Sequence, residues 1–571
     1  SPHLGSVNPF IAPRFRMMRI KPVISIRGDM RRSRVIICLC LLAGLLGFPG
    51  RFRAEEGQSG DANESITLKV TSTVLPRAGS LKPGARATAE IMRRFEQLHP
   101  NIRLTTSEGL RIEGKGDEIT PLMQIAADIA PDILYVNFRN CDSYVQQGFL
   151  YPLDRFVEQM AKEELEARVP KPAWQVIRRP GRDGKTHIWA MPHDTVVMTM
   201  NYRRDLFRKA GLDTERGPRD WRELEEFCRK IRAADANAYG MGFDRTSDES
   251  WKFMPFLWSA GAEAMEDVAP NQWRATFDSP QAIEAFLYYY KLVRNGLAYR
   301  GSDAYELGKK GRIAITFNYL GDLQLAGLDP AQSGIAPVPR GPTGLRGNEV
   351  NCAMMGIYAG VKDRRKLEAA WEFIRFYDSD EARAIRTRVF VENGQAIQLN
   401  PRFLRAYGYE EYLQDVPREW VVAHDEAMES GKPEPFGRNS NLIYKEMSRP
   451  LDQMFYDKRI EQCWKTSDEA GLKRRFQEIF TAAAKETNER IIGYVPPEVQ
   501  RFRRNVAAVV AAIVVAAFAW LFIYIWRVFT PRALGVAQAE GWGFRSYWFA
   551  YVILLPALAT ILLWQYIPLA R

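Results

Sequence analysis

The stretch that comes nearest to a catalytic motif is GLRIEGKG, from Gly109 to Gly116. It has the glycine and lysine spacing of a phosphate-binding loop, whose backbone amides and lysine hold the phosphates of a nucleotide. Such a loop needs Ser or Thr directly after the lysine, to hold magnesium, and a helix that begins there. Here Gly116 follows Lys115, and acidic residues and Pro121 come next. We therefore interpret the stretch as a surface loop.

Other patterns of catalysis or metal binding are missing from the sequence. The five histidines form no H-E-x-x-H motif, and no G-x-S-x-G motif or paired-carboxylate signature of a glycosidase is present. His187 and His193 lie near a strand pattern, where a structural role is far commoner than zinc ligation. The sequence therefore predicts no catalytic residue, metal or cofactor, and it disfavours a polysaccharide-degrading enzyme.

Aromatic residues are the feature that remains, at 12% of the chain with 14 tryptophans. Several lie beside small or polar residues, as in ESWKFMPFLWSAGAE around Trp251 and TFNYLGDL around Tyr319. Most such rings simply pack in a core. In a cleft, however, a flat ring beside Asn, Asp or Arg suits a sugar, because the C–H face of the sugar lies on the ring while its hydroxyls form hydrogen bonds. The aromatic segments are therefore candidates for carbohydrate contact.

Short strands alternate with amphipathic helices from Ile66 onward, which predicts an α/β fold with a largely parallel sheet. The strands ITLKV and ILYV are examples, and the helix between them has Ile91, Phe95 and Leu98 on one face. In a later helix, DWRELEEFCRKIRAA, Asp220 is the expected N-cap, with Glu223 three residues on.

Two helix patterns also assign residues to the core or to a cap. Cys228 falls on the apolar face of DWRELEEFCRKIRAA and is predicted to be a core residue rather than a nucleophile. In SPQAIEAFLYYYKLVRNG, Ser279 is the expected cap, Pro280 the first helical residue and Gly296 the residue past the end.

The net charge of +11 is concentrated at the two ends of the chain. Residues 1–54 carry +9 and residues 501–571 carry +6, whereas residues 55–500 carry −4. A slightly acidic central region does not suit binding to the phosphate backbone of a nucleic acid. The distribution argues against nucleic acid as a partner and suits a soluble domain that meets a small ligand.

The segment MRRSRVIICLCLLAGLLGFPG, from Met30, has the arginine-rich start and the apolar run of about fifteen residues typical of a secretory signal peptide. We expect the natural start at Met30, or at Met17 or Met18, and a retained signal anchor is the alternative. Four cysteines lie outside the signal segment, at spacings that do not suit a metal site. One disulfide could form among them, and the sequence does not assign its pairing.

Two later apolar segments could cross a membrane. Val506–Trp526 has 21 residues without a charge, and the segment SYWFAYVILLPALATILLWQYIPLAR occupies residues 546–571. If residues 55–495 are exported, the first segment runs inward, residues 527–545 form a short cytoplasmic linker, and the second segment runs outward. We expect the natural sequence to continue past Arg571.

Between about Ile66 and Thr487 the chain contains, in this order, the segments FEQLHPNIRL, APDILYVNFRNCDSYVQQGFLYPLD, IWAMPHDTVVMTMNYRRDLFRKAGL, WRELEEFCRKI, FMPFLWSAGAE, ATFDSPQAIEAF and LEAAWEFIRFYDSDEARAI. In this ordered set the chain resembles the extracellular solute-binding proteins of bacterial ABC importers, in the sugar-binding group that includes maltose-binding protein. The resemblance implies the two-lobed periplasmic-binding-protein fold of type II, with a hinge and an interlobe cleft, followed here by two transmembrane helices. The segment at 546–571 resembles the first helix of a permease subunit.

The resemblance also implies a solute site between the lobes, with Pro192–Met200 as a hinge crossing. The residues that it places at the solute are Thr73, Asn137, Phe138, Arg139, His193, Asp194, Trp251, Asn318 and Tyr319. Val136 and Arg139 stand where maltose-binding protein has an aromatic and an acidic residue, so maltodextrin is not the expected ligand. A mono- or oligosaccharide is expected, with a non-sugar solute such as a glycerol phosphodiester as the alternative.

The partners implied by the resemblance are an ABC permease subunit and a cytoplasmic ATPase on other chains, at the inner membrane of a bacterium. A membrane-anchored sugar sensor that does not transport is the other hypothesis. The linker at 527–545 is too short for a kinase or another output domain.

Overall fold

The computed structural model describes residues 65–71, 74, 80–106, 122–247, 249–269, 272–529 and 561. Thr73, the signal segment at 1–54, the Gly109–Gly116 loop and, apart from Ile561, the segment at 546–571 lie outside the described residues.

The strands are β1 Ile66–Val70, β2 Ile102–Thr106, β3 Ile133–Val136, β4 Arg178–Pro180, β5 Thr186–Ile188, β6 Met191–Arg203, β7 Tyr239–Asp244, β8 Met265–Ala269, β9 Gln272–Ala275, β10 Ala298–Gly301, β11 Ile313–Gly321, β12 Ser333–Ala336, β13 Glu349–Ile357 and β14 Lys432–Pro433.

The α-helices are α1 Pro83–Leu98, α2 Phe138–Gln147, α3 Asp154–Val157, α4 Lys162–Arg168, α5 Lys171–Ile177, α6 Arg204–Lys209, α7 Trp221–Ala234, α8 Glu249–Ser259, α9 Pro280–Arg294, α10 Ala304–Lys309, α11 Arg364–Tyr377, α12 Asp380–Glu392, α13 Pro401–Ala406, α14 Arg418–Ser430, α15 Ile443–Tyr456, α16 Lys458–Lys465, α17 Glu469–Thr487 and α18 Pro497–Phe529.

One mixed sheet runs through the α/β part of the molecule, in the order β10-β7-β11-β6-β13-β3-β1-β2, with β12 beside β6 and β14 beside β13. The outer strands β1, β2 and β3 pair in parallel, as do β7, β10 and β11. The two long central strands, β6 and β13, pair antiparallel to each other. They connect the two parallel halves of the sheet.

Two large hydrophobic cores lie on either side of these central strands. The first contains Phe95 and Phe138 with strands β1 and β3, and the second contains Trp258 and Phe286 with helices α8, α9 and α17. We call the parts packed around them the first and second lobes. Strand β6 passes from one to the other, because Met191 lies in the first core and Met198 in the second.

A smaller third core covers one face of the crossing strands. It contains Val197 of β6, Val350 of β13 and Leu320 of β11, together with Phe390 of α12 and Trp420 of α14. Since side chains alternate along a strand, the neighbours of these residues face the other side of the sheet. The crossing therefore has one apolar face and one face that is available for a site.

The predicted α/β class and the strands ITLKV and ILYV are confirmed. Helix α1 buries Ile91 and Phe95, but Leu98 is 43% exposed, because the helix ends there and its last residue turns away from the first core. Cys228 is buried as predicted, and burial raises the pKa of its thiol to about 12. The four described cysteines are free, so the open question of a disulfide among them is answered.

The predicted helix caps are also present. The Asp220 side chain accepts a hydrogen bond from the Glu223 amide, and Ser279 accepts one from the Ala282 amide. Glu223 does not return the bond to Asp220, because its carboxylate accepts from the Arg219 amide instead. Gly296, past the end of α9, has a φ of +66°, a conformation that glycine adopts at no steric cost.

Of the described residues, one helix is long and apolar enough to cross a membrane. It spans Pro497–Tyr524, and its apolar part is not buried against the rest of the described residues. The predicted segment Val506–Trp526 lies within helix α18.

Candidate functional site

Aromatic and acidic side chains meet on the polar face of the crossing strands. The second lobe contributes Trp251 from α8, Tyr319 from β11 and Tyr444 from α15. Glu349, the first residue of β13, and Glu434, just after β14, lie among these rings. We call these five residues the aromatic–acid cluster.

Hydrogen bonds fix the rings of the cluster relative to one carboxylate. The Trp251 indole N–H donates to the Tyr319 hydroxyl over 3.2 Å, with the ring centroids 5.5 Å apart. The Tyr319 hydroxyl donates to Glu349, and so does the Tyr444 hydroxyl, over 3.4 Å. Trp251 and Tyr319 are half-buried, whereas Glu349 is fully buried. The half-buried rings are the part of the cluster that a solute could reach.

The first lobe reaches the cluster through Arg139 of α2. Its Nε lies 2.9 Å from the Glu434 carboxylate, and its guanidinium carbon lies 5.3 Å from the centroid of the Tyr444 ring. The backbone carbonyl of Arg139 accepts a hydrogen bond from the Ser440 hydroxyl over 2.8 Å. These contacts hold the two lobes together at the cluster.

The electrostatics of the cluster are dominated by its two buried carboxyl groups. Burial raises the pKa of Glu349 well above its usual range, and the neighbouring Glu434 carboxylate adds to the rise. Glu434 accepts a hydrogen bond from the Asn351 side chain over 2.8 Å. The raised pKa favours the protonated form of Glu349, while the Arg139 guanidinium contacts Glu434.

A separate cavity of about 690 Å³ lies beside the crossing strands, and its lining does not include the five residues of the aromatic–acid cluster. Phe390 belongs both to its lining and to the third core. His193 and Asp194 of β6 line it, together with Tyr377 of α11 and Arg386 of α12. We call it the hinge cavity.

Burial controls the titration of the two predicted residues in the hinge cavity. It lowers the pKa of His193 to about 3, with the Arg386 charge as a further cause, and it raises the pKa of Asp194 to about 6 against the effect of Arg386. The His193 ring meets the edge of the Tyr377 ring at a centroid distance of 5.1 Å. The Asp194 side chain lines the cavity and is open to water there, so the cavity walls surround its carboxyl without removing it from solvent.

We predict that Asp194→Asn raises the melting temperature at about pH 7.5 and changes it little at about pH 4. The folded protein holds a proton on Asp194 more tightly than the unfolded chain, so this carboxyl makes the protein less stable as the pH rises from about 4 to about 6. A melting curve at several pH values measures the difference.

The control for this prediction is Asp235→Asn. A hydrogen bond from Lys209 lowers the pKa of Asp235, so its contribution to stability is present at neutral pH and is lost as the pH falls through that lowered pKa. The two variants should therefore shift the melting temperature at neutral pH in opposite directions. Equal shifts at all pH values would contradict the assignment.

The structure thus brings three of the predicted site residues together, Arg139, Trp251 and Tyr319. His193 and Asp194 line the hinge cavity instead, at the point where the register between β6 and β13 shifts. Thr73 lies outside the described residues.

The other three predicted residues are occupied elsewhere. The Asn137 side chain caps helix α2 by accepting from the Asn140 amide, and Phe138 is fully buried in the first core. Asn318 lies next to Tyr319 on β11 and therefore faces the other side of the strand, where its amide donates to the Thr316 hydroxyl. Solute contact by these three side chains is not supported by their positions.

Comparison with known proteins agrees with this architecture. The family described as bacterial extracellular solute-binding protein matches residues 78–384, which is more than half of the chain. The chain belongs to this family. Among its relatives is a binding protein of Brucella abortus (strain 2308), which is 26% identical over 312 residues and is matched over 52% of this chain and 69% of its own. The family consists of binding proteins rather than enzymes.

Two solved structures show the fold of this solute-binding protein. The ABC substrate-binding protein Lmo0181 of Listeria monocytogenes, in complex with cycloalternan, has a TM-score of 0.55 at 17% identity and covers 75% of this chain and 99% of its own. UgpB of Mycobacterium tuberculosis, in complex with glycerophosphocholine, has a TM-score of 0.53 at 20% identity and covers 73% and 98%.

Sequence reasoning missed Glu349, Glu434 and Tyr444 in this solute-binding protein. Glu349 opens an apolar strand in GNEVNCAMM, and Glu434 lies in the turn-like GKPEPF, where an acidic residue is normally solvated. Tyr444 is the second residue of an amphipathic helix, where a tyrosine is normally a packing residue. No local signal distinguishes them, because their partners are distant in the sequence.

Proposed function

We propose that the protein is the extracytoplasmic receptor of an ABC importer and binds a small polyhydroxylated solute between its lobes. The observation that carries the proposal is that Arg139 of the first lobe contacts Glu434 and Tyr444, and that Tyr444 shares Glu349 with the Tyr319–Trp251 pair of the second lobe. Rings beside hydrogen-bonding groups in a cleft suit a carbohydrate or a similar polyol.

Binding would work through the movement of the lobes. A solute that touches both lobes in the closed form and only one in the open form binds the closed form more tightly, so it shifts the population toward closure. Strands β6 and β13 are the crossings about which the lobes would turn. The closed form is then what the permease subunit recognises, and the energy for transport comes from an ATPase on another chain.

The solute class is tested by calorimetry on the full chain in detergent. We would use neutral mono- and oligosaccharides, together with the glycerol phosphodiester glycerophosphocholine, which is the molecule named in the related UgpB structure. Saturable binding of at least one of them supports a solute receptor. No binding by any of them, with the protein folded, contradicts the proposal.

We propose the following arrangement along the chain. A signal segment occupies residues 1–54, the two-lobed domain residues 55–495 and a membrane helix residues 506–526, which lies within the apolar helix α18. Residues 527–545 form a cytoplasmic linker and residues 546–571 a permease-like helix. A tether of this kind keeps the receptor near its permease at an effective concentration on the order of millimolar.

The expected result of adding protease to intact spheroplasts is loss of the large domain, because it faces outward in this arrangement. A tag placed in the 527–545 linker should be cleaved only after the membrane is opened. Protection of the large domain in intact spheroplasts would show that the orientation is wrong.

A further inference from the structure

Residues 436–440 form a short loop of the chain that contacts both lobes, and we call this loop the strap. Its first residue, Phe436, packs against the first core as well as the second. The hydroxyl of its last residue, Ser440, donates to the backbone carbonyl of Arg139 in the first lobe over 2.8 Å. Both ends of the strap therefore contact the first lobe.

Arg179 of β4 supplies a further contact between the first lobe and the strap. Its guanidinium carbon lies 5.7 Å from the centroid of the Phe436 ring and 4.9 Å from that of Trp273, which belongs to β9 in the second lobe. The same guanidinium contacts the Asp142 carboxylate at 3.3 Å. Arg179 and Trp273 are 7% and 4% exposed. This buried guanidinium therefore joins the strap and β9 to the first lobe.

The backbone of the strap is held in uncommon conformations. Gly437 has a φ of +112°, and a Cβ atom there would lie 2.3 Å from the Trp273 ring, which is closer than carbon atoms pack. Asn439 has a φ of +56°, in the left-handed region that asparagine tolerates better than most residues. Such conformations persist where the surrounding structure determines them. The strap is therefore fixed against β9.

The strap also contacts the turn Asn488–Ile492, which follows α17 and precedes helix α18. Residues 493–496 alone separate this turn from the first residue of α18. The Asn439 side-chain amide donates to the Ile491 carbonyl over 2.6 Å. The strap thus reaches the place from which the apolar helix begins.

Strand β9 contacts the same turn through Asn488. The Asn488 side chain accepts a hydrogen bond from the Ala275 amide over 2.8 Å and donates one to the Ala275 carbonyl over 3.1 Å. Ala275 lies two positions along β9 from Trp273, so both side chains are on one face of the strand. The turn is therefore bonded to the two elements that Arg179 joins to the first lobe.

We propose that the strap couples the contact between the lobes to this turn, so that closure over a solute changes how firmly the beginning of α18 is held. The chain of contacts is continuous, from Arg179 through Phe436 and Trp273 to Asn439 and Asn488. In the sequence the strap lies between Glu434 and Tyr444 of the aromatic–acid cluster. This inference rests on the proposed function for its solute and its membrane helix, and it adds a route from the one to the other.

Hydrogen exchange at the turn tests the coupling without a solute. The Gly493 and Tyr494 amides both donate to the Asn488 carbonyl, so their exchange reports how well the turn is formed. The variant is Arg179→Lys, which keeps a cation beside Asp142 but loses the planar group that stacks on the rings. In the full chain in detergent, we expect it to speed exchange in residues 488–495 by about two- to fivefold.

Arg155→Lys is the matched control. The Arg155 guanidinium carbon lies 4.4 Å from the centroid of the Phe156 ring and 5.6 Å from that of Tyr151, and both rings belong to the first lobe. This variant loses the same kind of contact within one lobe, so it should leave exchange at the turn unchanged. If it speeds exchange as much as Arg179→Lys does, the effect comes from general loss of stability and the inference is overturned.

The route is tested in a background that lacks both side-chain contacts to the turn, Asn439→Asp with Asn488→Ala. Aspartate also tolerates the left-handed conformation, but it has no amide to donate to Ile491. Adding Arg179→Lys to this background should change exchange at the turn no further. A further increase as large as that in the unchanged protein would show that the strap and β9 are not the route.

Solute binding supplies the last comparison. The tightest solute of the calorimetry panel should slow exchange at the turn, and Asn439→Asp should weaken its binding, because coupling between two sites acts in both directions. A solute that binds and leaves exchange at the turn unchanged overturns the inference, whereas the proposed function stands. If no solute of the panel binds the folded protein, the proposed function fails, and the comparison of Arg179→Lys with Arg155→Lys still decides whether the lobes and the turn are coupled.

Discussion

Replacing Arg300 by Met is expected to lower the free energy of unfolding by about 3 to 5 kcal/mol, the range measured when one member of a buried ion pair is removed. The Arg300 guanidinium contacts both oxygens of the Glu249 carboxylate at 2.6 Å, and the two side chains are only 5% and 1% exposed. Without Arg300, Glu249 remains as a buried carboxylate among apolar neighbours.

The remaining contacts of the Glu249 carboxylate do not replace the lost charge. Glu249 also accepts a hydrogen bond from the Tyr289 hydroxyl at 2.5 Å, and Tyr289 is fully buried. The Phe455 ring lies 4.5 Å from the Arg300 guanidinium carbon. Without Arg300, Glu249 keeps the neutral Tyr289 hydroxyl as a donor and loses both of its charged hydrogen bonds.

Chemical denaturation of the full chain in detergent measures this loss. Arg245→Met is the matched control, because Arg245 pairs with the same Asp452 that contacts Arg300 but is 46% exposed, so we expect a change of about 1 kcal/mol or less. The double variant Arg300→Met with Glu249→Gln should recover part of the loss. A loss at Arg300 no larger than that at Arg245 would refute the argument.

This ion pair also matters to the candidate site. Glu249 is the first residue of helix α8, and Trp251 follows two residues later. The Ser250 amide and hydroxyl are bound as well, to Ser448 at 2.9 Å and to the Tyr444 carbonyl at 2.7 Å. The beginning of α8 is therefore fixed by buried polar contacts, which hold the indole of Trp251 at the cluster.

Features that depend on neighbours in the sequence were predictable. Caps at Asp220 and Ser279 need only the next three residues, and the burial of Cys228 follows from helical spacing. Leu98 has the same spacing as Ile91 and Phe95 but lies at the end of its helix, where no core residue covers it. The spacing of apolar residues indicates which face of a helix is buried. How far along the helix that face is covered depends on packing against elements that are distant in the sequence.

The site was predictable only in part, for a related reason. Arg139, Trp251 and Tyr319 come from three separate segments, and the resemblance to a family supplied their common location. Their neighbours Phe138 and Asn318 do not share it, because one residue along a helix or a strand changes the direction of the side chain. Glu349 and Glu434 are 85 positions apart and become a pair only through β13 and β14.

The structure also changes the interpretation of the residues predicted at the hinge crossing. Pro192–Met200 was predicted as a crossing, and β6 does run from the first core to the second through this stretch. The predicted solute residues His193 and Asp194 nevertheless line the hinge cavity and not the aromatic–acid cluster. Neighbouring residues of a regular strand point to opposite faces, but the register of β6 with β13 shifts at this pair, and the sequence pattern does not show that shift.

The other large effect is expected for Trp251→Ala, which should weaken solute binding by about 1 to 3 kcal/mol, or roughly 5- to 150-fold, if a desolvated ring face is lost. Trp251 is half-buried in the ligand-free protein, so its ring keeps a surface that a solute can cover. Tyr319→Ala should have an effect in the same range. Tyr319→Phe should cost less, because it keeps the ring and loses only the hydroxyl that joins Trp251 to Glu349.

Trp464→Ala provides the matched control for these variants. Trp464 is also half-buried in the second lobe, but it lies on α16 and packs against Tyr290, away from the aromatic–acid cluster. Its removal should lower the melting temperature and leave solute affinity unchanged, as calorimetry with the tightest solute of the panel would measure. If Trp251→Ala and Tyr319→Ala bind that solute as tightly as the unchanged protein while remaining folded, the solute does not bind at these rings. If Trp464→Ala weakens binding equally, the effect of Trp251→Ala reports loss of stability in the second lobe rather than loss of a stacking contact.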